Sequence, residues 1–157
     1  MVSCSGYYSL RGLEDDMAEP ATEVKAGFQE VEHTADWALE IWAPTLAQLF
    51  EQAARGMLAL TGIELAAQAR EIRQLDLLAI DLESLLVNFL NELLFWGENE
   101  YMAFDDFHLT IEGTHLTGWV EGAPIAAQTK EIKAVTYHNL VISHSAGEFR
   151  VRIVLDV

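Results

Sequence analysis

The run Val151-Arg152-Ile153-Val154-Leu155-Asp156-Val157 alternates along a strand-like pattern and sets an aspartate beside the final residue. The Asp156 side chain and the α-carboxylate of Val157 are hard oxygen donors. Held at the end of a strand, they would supply half of a site for a hard divalent cation. Two further segments bring polar chemistry next to strand-like runs: Glu32-His33-Thr34-Ala35-Asp36 and Glu131-Ile132-Lys133-Ala134-Val135-Thr136-Tyr137-His138. A carboxylate-dominated set suits Ca²⁺, Mg²⁺ or Mn²⁺, whereas zinc prefers nitrogen and sulfur. Each residue also has a plainer role. Asp156 shares its strand face with Arg150 and Arg152 and can form a structural ion pair with a neighbouring strand. Lys133 can sit on a solvated face, and Asp36 can close a bend by capping local N–H groups. His33 and His138 can be hydrogen-bonded structural histidines. The chain contains no phosphate-cradling loop, Gly-x-Ser-x-Gly, His-Glu-x-x-His or cysteine pair.

The elements that must position these groups are legible from Phe28 onward. Phe28–Glu32 reads as a short strand, and Trp37, Leu39 and Ile41 alternate in a second. Thr45-Leu46-Ala47-Gln48 is a capping box, followed by helical spacing of Leu46, Leu49, Phe50, Ala53, Met57 and Leu60 up to Gly62. Glu71–Ile80 reads as a strand. Asp81 is a good N-cap for a helix whose stripe includes Leu82, Leu85, Leu86, Phe89, Leu90, Leu93 and Leu94. The polar side of that helix carries Glu83, Asn88, Asn91 and Glu92 instead of Lys and Arg, so it reads as a core helix and not a membrane-surface one. Phe107–Ile111 and Leu116–Val120 flank Gly113-Thr114 as a hairpin. Glu131–Tyr137, Leu140–Ser143 and Phe149–Val157 complete about eight strands, with turns at Asn139 and Ala146-Gly147. Helices do not alternate regularly with strands. This predicts an α+β fold, a two-layer arrangement of a mixed, mostly antiparallel β-sheet covered by two amphipathic helices. Residues 1–26 lack periodicity and are expected to form a disordered N-terminal extension. Residues 27–157 are expected to form a single domain.

Composition narrows the function classes. With 51% hydrophobic and 10% aromatic residues, the 157-residue chain is globular in character, and its apolar runs are too short for a membrane span. Met1–Pro20 has no basic region followed by an apolar one, so no secretory signal is expected. The lone Cys4 excludes an internal disulfide and a cysteine-based zinc site and suits a cytoplasmic location. The formal net charge is −16, and every charged residue between Gln74 and Thr129 is an Asp or Glu. Such a surface repels nucleic acid and anionic membranes. It favours a basic protein partner, or serves solubility alone.

Five segments together resemble the archease family: Glu32–Asp36, Thr45–Ala54, Asp81–Leu94, Glu131–His138 and Ile153–Val157. The likeness runs in order from about Phe28 to Val157, and residues 1–26 fall outside it. The resemblance implies a protein cofactor, not an enzyme. Its partner would be an RtcB-type RNA ligase of tRNA splicing and RNA repair, whose guanylylation and multiple turnover it promotes. It also implies functional roles for Asp36, Lys133 and Asp156. Asp36, Asp156 and the Val157 carboxylate would form a divalent-cation site (Ca, Mg or Mn), with Lys133 as the basic group beside it. Neither stable nucleic-acid binding nor a membrane association is expected. Two other classes are a divalent-metal phosphohydrolase using Asp36 and Asp156, and a general chaperone acting through acidic surface and apolar patches to which Trp37, Trp42, Trp96 and Trp119 could contribute. The first shows too few ligands and no dedicated base.

Overall fold

A computed structural model of the protein describes residues 24–31 and 37–157. The expected N-terminal extension thus falls almost wholly outside the described residues, as do Glu32, His33 and Asp36. The described chain folds as β1(Gly27–Val31), β2(Trp37–Ala43), α1(Leu46–Thr61), β3(Glu64–Leu65), β4(Glu71–Leu78), α2(Leu82–Glu100), β5(Met102–Glu112), β6(His115–Ala127), β7(Ala134–Thr136), β8(Ser143–Ser145) and β9(Glu148–Asp156).

Both helices begin where their caps dictate. Thr45 accepts the Gln48 amide at 3.2 Å, and Asp81 accepts the Ser84 amide at 2.7 Å. Each bond satisfies one of the donors that a helix N-terminus leaves without an intrahelical partner. Gly62 ends α1 in the left-handed region at φ 64°, and Tyr101 ends α2 there at φ 55°.

The α+β class is as expected, and the strands divide between two sheets. In the first, the order is β1-β2-β9-β7, with β8 also pairing β9. In the second, β6 is central and pairs β3, β4 and β5. All these pairings are antiparallel. Both helices touch both sheets, so one continuous core links the two. Phe89 sits near its middle, with ring centroids 5.9 Å from Phe50 and 6.5 Å from Phe107.

Two expected strands are shorter than their patterns suggest. The Glu131–Tyr137 run forms a ladder only at Ala134–Thr136; just before the run, Lys130 donates its amide to the Thr61 carbonyl at 3.0 Å. Over Leu140–Ser143 the strand begins only at Ser143. Leu140 donates to the Tyr137 carbonyl at 3.1 Å, and Ile142 donates to the Glu83 carboxylate at 2.9 Å. With those amides already satisfied, no ladder forms there. The turns fall where expected: Asn139, Ala146 and Gly147 all have positive φ. The α2 stripe is buried at Leu85, Leu86, Phe89 and Leu90, while Leu93 and Leu94 are half-buried and line a cavity.

Candidate functional site

β9 is the central strand of the first sheet, and its last residue, Asp156, receives neighbours from both sides. On one side Lys133 donates its backbone amide to the Asp156 carbonyl at 2.7 Å, and Ala134 is the cross-strand partner of Asp156. On the other side Trp37 pairs with Leu155. The residue that follows Asp36 is therefore fixed one position from Asp156. Asp36 itself lies outside the described residues, together with His33 and Glu32. The anchoring of this strand end comes from Val151, Ile153, Val154 and Leu155, all buried in the core.

The Asp156 side chain is exposed, and among the described residues the ion pair with a neighbouring strand does not form. Arg150 reaches Glu148 at 3.1 Å and Glu40 at 3.7 Å, and Arg152 reaches Glu40 at 3.6 Å. Asp156 thus keeps its carboxylate available to solvent among the described residues. Lys133 is also exposed. Lys133 lies just before the β7 ladder, in which Ala134 stands opposite Asp156, and it lines the cavity. The structure therefore joins Lys133 to Asp156 through the backbone. His138 is exposed, and its ring lies 3.2 Å from the Asn139 side chain.

Among the described residues no group of three or more His, Cys, Asp or Glu side chains is arranged to hold a metal ion. The donors that are described, Asp156 and the adjoining Val157, are oxygen donors of the kind hard divalent cations take.

Lys130 is a participant the sequence reasoning passed over. Its ammonium lies 3.3 Å from the centroid of the Trp37 ring, and its amide bonds Thr61 at the end of α1. Thr129 bonds the same carbonyl through its amide and its hydroxyl, both at 3.0 Å. The segment 128–133 is thereby pinned between α1 and the start of β2, which fixes where Lys133 emerges. The signal in the sequence is that Lys130 ends the long stretch without a single Lys or Arg.

Behind Lys133 a half-open cavity of about 710 Å³ runs between α1, α2, β5 and β6. Met57, Leu58, Phe104, Ile125 and Ile132 give it apolar walls. Phe95, 53% exposed, and Tyr101, 71% exposed, also border it.

The family model that matches the chain is that of the archease protein family, over residues 28–157. The chain is 33% identical over 138 residues to the protein archease of Methanothermobacter thermautotrophicus, covering 83% of this chain and 99% of that protein. It is 32% identical to the protein archease of Methanopyrus kandleri, with the same coverage. Among solved structures, it is similar to a Thermotoga maritima protein described as an archease and possible chaperone. The TM-score is 0.63 at 25% identity, covering 91% of this chain and 99% of that one.

Proposed function

The chain belongs to the archease family, and on that premise we propose that it is an accessory protein that activates an RtcB-type RNA ligase of tRNA splicing and RNA repair. In this reading it promotes GTP-dependent guanylylation of the ligase and lets the ligase turn over repeatedly. The acting surface is the tip around the end of β9, with Asp36, Asp156 and Val157 as the cation-binding set and Lys133 at its edge. The observation that supports it most is the convergence on Asp156: Trp37 is locked beside it by β2, and Lys133 is bonded to its carbonyl at 2.7 Å. Among the described residues this exposed carboxylate pairs with neither Arg150 nor Arg152, which leaves it open to a cation or a partner.

The chemistry is compatible. A ligase site that binds a nucleotide triphosphate and RNA phosphates is positive, and an acidic tip is drawn to it. A hard divalent cation held by the carboxylates would supply positive charge for those phosphates. This chain's own residues orient the tip: Lys130 holds Trp37, the β7–β9 ladder holds Asp156, and Lys133 presents an ammonium able to meet a phosphate.

The test is a joining assay with the cognate ligase limiting, broken RNA in excess, GTP and Mn²⁺. With the wild-type chain, guanylylation rises and joining continues beyond one turnover. Asp156→Ala is expected to abolish the stimulation while leaving the circular dichroism spectrum and melting temperature unchanged. Calorimetric titration of the same variant with Ca²⁺ and Mn²⁺ reads its metal binding independently of the ligase. Undiminished stimulation by Asp156→Ala would sink the role assigned to the tip.

A further inference from the structure

We infer that the cavity behind Lys133 is a docking seat for a basic segment of a protein partner, which inserts one apolar side chain between α1 and α2 and sets a Lys or Arg at the rim. This rests on the reading of the chain as an accessory protein and identifies a second contact with the partner, joined to the carboxylate tip through Lys133.

Three observations carry it. The first is size and lining. A volume of about 710 Å³ with an open side and a lining about evenly apolar and polar takes a Leu, Met or Phe side chain together with the stem of a neighbouring cation. The second is charge. Glu98 and Glu131 line the cavity and are exposed, and the last turns of both α1 and α2, which reach it through Thr61 and Tyr101, contain no basic residue. Helix C-termini carry partial negative charge, so two of them and two carboxylates favour a cation over an anion at this rim. Among the described residues, Lys133 is the only cationic side chain in the lining. Phe95 and Tyr101 add exposed aromatic faces that attract cations.

The third is Gly97. It lies inside the 19-residue α2, where glycine lowers helix stability relative to alanine. Nothing steric requires it: an added Cβ would come no closer than 3.5 Å to the Met102 carbonyl and 4.0 Å to Ile125. Gly97 also lines the cavity, and a larger side chain there would fill it. Gly97 thus marks a wall position where alanine leaves the cavity open and a large side chain closes it.

The experiment measures binding of the full chain to the purified RtcB-type ligase by calorimetry at two salt concentrations. It compares wild type, Gly97→Ala, Gly97→Phe and the double variant Glu98→Lys/Glu131→Lys. Thermal melts check folding, and light scattering reads self-association. Wild type and Gly97→Ala are expected to bind alike, with Gly97→Ala melting at the same or a higher temperature. Gly97→Phe is expected to bind at least tenfold more weakly. The double charge variant, changed only at exposed positions and so protected from folding defects, is expected to weaken binding and to reduce its salt dependence. Wild-type affinity in both Gly97→Phe and the charge variant overturns the docking seat while leaving the ligase-activator reading in place. Loss of self-association in Gly97→Phe with ligase binding intact overturns it in favour of a second copy of the chain as occupant. Failure of the wild-type chain itself to bind overturns both.

Discussion

Asp81 accepts bonds from the backbone amide and then the hydroxyl of Ser84, and these hold its carboxyl below the usual carboxylate range. A carboxylate whose pKa is lower folded than unfolded stabilises the fold above its unfolded value and loses that contribution as pH falls through the folded one. The stabilisation is therefore present at neutral pH and fades below about pH 4. Asparagine caps a helix equally well but does not titrate. The melting-temperature difference between wild type and Asp81→Asn should accordingly narrow between pH 7 and pH 3, and Asp81→Ala should melt lower than both at pH 7. At this scale the sequence was highly legible. Capping residues act within three positions of themselves, so Thr45 and Asp81 could be assigned without knowing the fold. Asp156 could be singled out as a candidate, but the diversion of Arg150 and Arg152 to Glu40 could not, because Glu40 lies on a different strand.

The β5–β6 hairpin shows what an element demands of single positions. Gly118 has φ 140°, and a Cβ there would collide with the His108 carbonyl across the ladder. On the outer face the adjacent pair, His108 and Trp119, stacks with ring centroids 3.7 Å apart. Gly118→Ala should destabilise the protein by about 2 kcal/mol or more, since it adds both backbone strain and a backbone clash. Urea unfolding measures the loss, and faster amide exchange confined to β5 and β6 would place it. The hairpin was readable because alternation and a Gly-Thr turn are local signals. The shortening of β7 and the late start of β8 were not. Their patterns fit strands, but the Leu140 amide closes a turn onto Tyr137 and the Ile142 amide finds Glu83, 59 residues away, which no local pattern encodes.

Across the whole molecule the two helices join two sheets through one core, and Phe89 is its fully buried centre. Phe89→Ala should cost about 3–5 kcal/mol through lost burial and the void left between Phe50 and Phe107. A single cooperative transition at lower denaturant, with both sheets lost together, would be its signature. Periodicity identified the helices and most strands, yet it could not divide the strands between sheets, because alternation states which face is apolar and not which strand lies alongside. The cavity was invisible for a related reason: Leu93 and Leu94 continue the apolar stripe of α2 and look like core until the neighbouring surfaces are known. The central place of β9 also has a consequence for synthesis. β2 leaves the ribosome roughly a hundred residues before β9, on the order of ten seconds at ordinary elongation rates. Through that interval β2 has its β1 neighbour but no strand on its other edge. The β3–β6 sheet, whose strands all precede β7, can assemble while it waits. The pairing of Trp37 with Leu155, and with it the tip around Asp156, thus forms only after the β3–β6 sheet can, so a product stalled before β9 would carry the cavity walls without the tip.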